Sequence, residues 1–65
     1  MKEYDVVLCD DDAQEVPVGT LGTIVYVHDL SRRIFEVEFV DADGMSIGVF
    51  TMDGRNLKFV GNVDR

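Results

Sequence analysis

Hydrophobic and acidic residues alternate in one segment of the chain, and this alternation is its clearest structural signal. Residues 35–39 read Phe, Glu, Val, Glu, Phe. Successive side chains of a β-strand point to opposite faces, so Glu36 and Glu38 share one face while their apolar neighbours share the other. The segment is therefore predicted to be a strand with one buried face and one face toward solvent.

A β-branched run that begins after Gly19 and Gly22 predicts a second strand. Glycine allows the backbone to turn tightly into a strand, and β-branched side chains favour extended structure. Ile24 and Val27 both have the character of core residues, yet they lie an odd number of positions apart. A β-bulge or a strong coiling of the strand between them would place both side chains on one face.

The same period of two along the whole chain predicts five short strands and no helix of ordinary length. The predicted strands span residues 4–9, 22–28, 34–40, 45–51 and 56–60. Ile47 and Val49 are predicted to point inward from the fourth strand, with Gly48 at a bend or a close backbone approach. Leu57 and Phe59 are expected to close the core from the fifth strand.

The connections between these strands differ in length. A long polar segment, residues 10–20, follows the first strand, whereas residues 29–33 and 41–44 are short enough for hairpins. Residues 52–55 fit a single 3₁₀ turn before the last strand. This connectivity predicts an all-β fold, a small antiparallel five-stranded SH3-like barrel whose bent strands pack as two orthogonal layers.

Length and composition limit the class of protein. A chain of 65 residues is one domain, residues 1–65, with residues 61–65 expected to be a flexible tail. A hydrophobic content of 46% excludes the composition of a disordered protein. There is no signal-peptide pattern and no apolar run of the roughly 20 residues that a membrane helix needs, so a cytoplasmic protein without membrane contact is expected.

Charge narrows the choice of partner. Thirteen acidic residues against six basic ones give a net charge of −7. Because affinity for phosphate backbones comes from lysine and arginine, no DNA binding is expected and RNA binding is disfavoured. An acidic surface favours a basic protein partner, for a chain that is itself a monomer or a weak homo-oligomer.

Residues that carry catalysis do not form a recognisable set. His28 is the sole histidine, and its neighbours Asp29 and Ser31 do not define a triad, since a triad is a geometry across a fold. Cys9, the sole cysteine, lies in an apolar run and is interpreted as a small buried hydrophobe. No catalytic residue, metal-ligand set or cofactor is predicted.

Acidic residues of the first loop leave one alternative open. Asp10, Asp11, Asp12 and Glu15 lie close in sequence, and a hard cation such as Ca²⁺ needs about 6 to 8 oxygen ligands. The EF-hand pattern fails because Glu15 stands where that loop requires glycine and Leu21 where it requires an acid. Cation binding stays an alternative to a solvated acidic loop.

Binding is the function class that the pattern favours. SH3-like barrels commonly bind partners between the first loop, a hairpin and the short turn before the last strand. Tyr26, Val40 and Phe50 are the apolar residues hardest to place inside so small a barrel, and exposed together they would form a contact patch. The residues predicted to bind a partner are Asp10, Asp11, Asp12, Glu15, Tyr26, Arg32, Arg33 and Phe50.

Several segments also resemble a known family, the small bacterial domain of unknown function 4926. The similar segments are residues 4–7, 16–25, 35–41, 49–51 and 56–57. The resemblance spans residues 4–60 and implies a compact SH3-like barrel, with no assigned activity. Residues 19–27 are also similar to the KOW motif of ribosome- and transcription-associated domains, although RNA-binding KOW domains are usually basic.

The sequence therefore favours a non-enzymatic protein-interaction module with a basic protein partner. An inhibitor, or a protein of the immunity or antitoxin type, would be a concrete form of it. A KOW-like RNA or ribosome-associated module and a cation-binding protein are the alternatives.

Overall fold

A computed structural model describes residues 1–11 and 16–62 of the chain. Its elements are β1 (Val6–Cys9), β2 (Leu21–Asp29), β3 (Ile34–Val40), β4 (Ser46–Asp53), the 3₁₀ turn η1 (Gly54–Asn56) and β5 (Leu57–Gly61). The all-β class, the five strands and the 3₁₀ turn are confirmed, and every strand end lies within two residues of its prediction. Gly61, expected to begin a tail, is the last residue of β5.

All five strands form one antiparallel sheet in the order β4-β3-β2-β1-β5. Within the described residues no ladder joins β4 to β5, so the sheet is open and the predicted barrel is not closed by hydrogen bonds. The two edge strands are β4 and β5, which are consecutive along the chain but lie at opposite edges in the hydrogen-bonding order of the sheet.

The short η1 connection shows that this open sheet is strongly coiled. Four residue steps from Asp53 to Leu57 span at most about 14 Å. In a flat five-stranded sheet the two edges would lie about 19 Å apart, at roughly 4.8 Å per strand. Coiling brings the edges together, so Met52 of β4 and Leu57 of β5 enter the same core.

The core lies on the inner face of this coiled sheet. Phe35, Val37 and Phe39 are fully buried, while Glu36 and Glu38 lie on the outer face, as the alternation in β3 predicts. Cys9 is buried as expected. The buried apolar residues are Val7, Cys9, Val16, Ile24, Phe35, Val37, Phe39, Met52 and Leu57.

The predicted bulge in β2 is present. Ile24 pairs with Val37 and Tyr26 with Glu36, so Val25 is an extra residue without a direct partner on β3. The bulge shifts the phase of the strand, which lets Ile24 be buried while Val27 also packs against the core.

The inward pair predicted for β4 is wrong. Ile47 and Val49 are 43% and 54% exposed, whereas Met52 is buried and Phe50 packs against the core. Both faces of β4 carry apolar side chains, so the alternation of residues alone could not show which face is buried. The larger side chains take the interior, and Gly48 lies inside opposite Phe39.

Gly48 also lies beside a bulge in β4. Phe39 pairs with Gly48 and Val40 with Ser46, which leaves Ile47 as the extra residue. Gly48 has φ of +148°, a conformation that favours glycine. The expected bend at this glycine is therefore found.

Phe59 does not close the core as predicted, because it is 50% exposed. It pairs with Val7, which places its ring on the inner side of β5. β5 is an edge strand, so no further strand covers that ring. Leu57, which pairs with Cys9, is buried as predicted.

Gly22 gives the core its closest backbone approach. It pairs with Phe39 across the β2–β3 ladder. A Cβ atom at Gly22 would lie 2.7 Å from both Phe39 Cδ1 and Val37 Cγ1. Because Gly22 has no side chain, the Phe39 ring can pack against its backbone.

Candidate protein-binding surface

Three of the acidic residues stabilise turns through hydrogen bonds to the backbone. Asp29, Asp41 and Asp53 lie at strand ends, and each accepts hydrogen bonds of 2.9–3.1 Å from backbone N–H groups two to four residues later. The Ser31 hydroxyl, and then the backbone, lowers the pKa of Asp29. The Arg55 backbone N–H lowers the pKa of Asp53. These carboxylates therefore stabilise the fold, whatever else they do.

The predicted acidic and basic binding residues both border η1, because the Asp10 N–H donates to the Asn56 carbonyl oxygen at 2.8 Å and the Gly54 N–H donates to the Arg33 carbonyl oxygen at 2.7 Å. Asp10 and Asp11 are exposed just beyond the end of β1, which points the same way as β3. Arg32 and Arg33 lie in the hairpin that precedes β3, and Arg32 Nε is 3.7 Å from Asp29 Oδ2. The coiling of the sheet brings both groups next to η1, but among the described residues no ion pair joins them. Asp12 and Glu15 lie outside the described residues.

The apolar binding residues predicted from the sequence lie on two faces. Tyr26 is exposed on the outer face, where it pairs with Glu36, and its ring meets that of His28 edge-on at 5.0 Å. Phe50 lies on the inner face, with its ring 6.0 Å from that of Phe39. Tyr26, Val40 and Phe50 therefore do not form one patch.

A polar cluster on the outer face links three strands. Glu36 Oε2 accepts a hydrogen bond of 2.7 Å from Thr51 Oγ1 and also pairs with His28 Nε2. The hydroxyl first, and then the imidazole, lowers the pKa of the Glu36 carboxyl. Thr51 and His28 thus both contact the Glu36 carboxylate.

Metal-ligating groups do not gather elsewhere in residues 1–11 and 16–62. No set of three or more His, Cys, Asp or Glu side chains there has the geometry of a metal site. The cation-binding alternative also requires Asp12 and Glu15, which these ranges leave out.

An apolar surface that the sequence analysis missed crosses the outer face at one end of the sheet. Leu8 pairs with Leu21, Leu21 pairs with Val40, and Ile47 follows the Ser46 partner of Val40. Val7 and Cys9 beside Leu8 and Phe39 beside Val40 are buried, so Leu8, Val40 and the paired Leu21 point outward. Ile47, the extra residue of the β4 bulge, is exposed. We call Leu8, Leu21, Val40 and Ile47 the apolar row.

The apolar row is partly open to solvent. Leu21 and Ile47 are each 43% exposed, and Leu8 and Val40 are partly buried. Val49, 54% exposed, continues the surface on β4. A signal for this row is present in the sequence, because its members are apolar residues out of phase with their buried neighbours, but only the register aligns them.

Acidic residues lie on two sides of the apolar row, while Lys58, which pairs with Leu8 on β5, is exposed at its β1 end. Asp10 and Asp11 follow β1, and Asp41 and Asp43 follow β3, so all four lie beyond the same end of the sheet. Each of them is exposed. On the other side of the row, Glu38 lies two residues before Val40 on the same face. We call these five residues the acidic rim.

An open cleft of about 600 Å³ lies at the opposite end of the molecule. It lies between the N-terminal residues, the last part of β2 and the hairpin. Its walls are formed by Met1, Lys2, Glu3, Tyr4, Val27 and Leu30. None of the residues predicted to bind a partner lines it.

A family model described as a domain of unknown function, DUF4926, matches residues 3–59. No curated protein and no solved structure matches the chain. In the part of the chain that the structure describes, no helix has the length and apolar character needed to cross a membrane.

Proposed function

The chain belongs to the DUF4926 family, a domain of unknown function, and we propose from its surface that it is a protein-interaction module with a basic partner. It acts by binding rather than by catalysis. An inhibitor, including one of the immunity or antitoxin type, is the concrete form that fits a small acidic domain.

The observation that carries this proposal is the apolar row inside its acidic rim. Exposed apolar surface that is contiguous and bordered by polar residues is typical of protein-binding sites. Carboxylates around it attract lysine and arginine, which speeds encounter and selects against acidic partners. Arg32 of the hairpin is paired with Asp29, and Lys58 on β5 is a single basic residue beside a row that five acidic residues border.

Capture of partners from the native host tests the proposal with matched variants. Wild-type protein, Leu21→Thr and Leu30→Thr are immobilised side by side, and retained proteins are identified by mass spectrometry. Leu21 belongs to the apolar row, whereas Leu30 is a more exposed leucine, 66% against 43%, in the hairpin outside the row. A basic protein should be retained by the wild type and by Leu30→Thr, and lost from Leu21→Thr.

The purified pair is then measured in isolation. Its affinity should fall as salt rises, because exposed charge pairs are screened. The proposal is wrong if every retained protein is acidic, or if retention of the basic protein does not depend on Leu21. Salt-sensitive retention of RNA in place of protein would favour the KOW-like alternative.

A further inference from the structure

We infer that the element which docks on the apolar row is a basic amphipathic α-helix of the partner, an inference that rests on the proposed function. The helix lies along the row, across the strands. Its apolar stripe covers Leu8, Leu21, Val40 and Ile47, and its lysine or arginine residues flank the stripe and meet the acidic rim.

Backbone hydrogen bonding favours a helix over an added strand. β1, β2 and β3 each have a strand on both sides, so their backbone groups already pair within the sheet. Over these three strands the outer face therefore offers side chains and no row of free N–H and C=O groups. A helix satisfies its own backbone internally, so it can dock through side chains alone.

The length of the row matches a short helix. From β1 to β4 the row crosses three strand gaps, about 14 Å at roughly 4.8 Å each. A helix rises about 1.5 Å per residue, so about ten residues, or three turns, cover that distance. Apolar residues spaced three and four apart would face the row along this length.

Charge favours a basic helix over a second copy of this chain as the group that covers the apolar row. The acidic rim flanks the row on both sides, with Glu38 toward the middle of the sheet and Asp41 and Asp43 beyond its end. Face-to-face packing of two copies would bring two such rims together, each on a chain of net charge −7. A basic helix meets the same rim with attraction on both flanks.

Synthetic peptides of about 14 residues, enough for a three-turn helix with frayed ends, test this inference by isothermal titration calorimetry. The probe carries leucines spaced three and four apart and lysines on both flanks of that stripe. One control has the same composition with leucine and lysine alternating, a strand-like period. A second control has glutamate in place of every lysine.

Only the helical lysine peptide should bind the wild-type protein. Leu21→Thr should weaken this binding about tenfold, because it removes buried apolar surface. The double variant Glu38→Gln, Asp43→Asn should weaken it about threefold and reduce its salt dependence. Leu30→Thr should leave it unchanged.

Several outcomes overturn the inference. Equal binding of the alternating peptide, no binding of the helical one, or no effect of Leu21→Thr would each do so. If a basic partner is captured through Leu21 while the helical peptide fails, the helix is wrong and the proposed function stands. Sedimentation of the wild type as a dimer that Leu21→Thr dissociates would identify a second copy as the occupant.

Discussion

The contacts of Glu36 on the outer face make the stability of the fold depend on pH. Its carboxylate receives the Thr51 hydroxyl from β4 and contacts the His28 imidazole from β2. Both interactions favour the charged form, so the pKa of Glu36 is lowered in the folded state. A residue predicted simply to face water is thus a cross-strand link, and the sequence could not show this because register decides which side chains meet.

The sign of the resulting pH dependence follows from linkage. A carboxyl whose pKa is lower in the folded than in the unfolded state stabilises the fold above its unfolded value, and this stability is lost as pH falls through its folded value. Thr51→Val removes the largest cause of the shift, so the Glu36 pKa should rise toward its ordinary value. NMR titration of the Glu36 Cδ resonance measures it directly.

Urea denaturation of the same variant supplies the matching stability measurement. Thr51→Val should lower the free energy of unfolding more at pH 7 than at an acidic pH at which the NMR titration shows Glu36 protonated in both proteins. Asp29 and Asp53 contribute in the same direction to both proteins, so they cancel in the difference. A loss that is equal at the two pH values would contradict the role of the hydroxyl.

Gly22→Ala tests the closest approach in the core. The added methyl group would overlap the rings and methyl groups of Phe39 and Val37 at 2.7 Å. Overpacking of this kind costs about 1–3 kcal/mol, which chemical denaturation should register as a lower unfolding midpoint. Gly61→Ala, in β5 with no atom within 4 Å of the new Cβ, is the control and should change stability little.

Strands differ in how far the sequence determines them. β3 was predicted with its bounds and faces, because its apolar and acidic residues alternate without ambiguity. β2 has a register shift between Ile24 and Tyr26, which the spacing of Ile24 and Val27 already indicated, and another between Val27 and Asp29, which that spacing did not indicate. β4 was assigned the wrong inner face, because apolar residues occupy both of its faces and only pairing with β3 selects Met52 over Val49.

Alanine substitutions in β4 test that assignment. Met52→Ala removes a buried side chain and should cost about 2–5 kcal/mol of unfolding free energy. Ile47→Ala removes an apolar side chain of similar size that is 43% exposed, so its cost should be clearly smaller. Guanidinium denaturation of both variants would refute the observed facing of β4 if the order of the two losses were reversed.

At the scale of the molecule, charge and apolar surface are arranged together. β1 and β3 point the same way, so the acidic residues that follow them gather at one end, beside the apolar row. The sequence predicted an acidic protein that binds a basic partner, yet it placed the binding site between loops. The row lies on strands far apart in sequence, and only the antiparallel register joins them.

The excess of negative charge also predicts how stability responds to salt. Folding brings carboxylates closer together, and a net charge of −7 makes their mutual repulsion outweigh attraction. The two arginine pairs, Arg32 with Asp29 and Arg55 with Asp53, have exposed arginines and contribute little. Raising NaCl from about 50 mM to about 500 mM should therefore stabilise the fold, by an amount on the order of 1 kcal/mol in urea denaturation at pH 7.

The double variant Glu38→Gln, Asp43→Asn separates this charge effect from a general effect of NaCl on apolar burial. It lowers the magnitude of the net charge from 7 to 5, since two carboxylates are replaced by amides. Its stability should exceed that of the wild type at low salt, and its gain on adding NaCl should be smaller. Equal gains for the two proteins would mean that repulsion at the acidic rim does not limit stability, and the rim would then exert little of the field on which recognition of a basic partner depends.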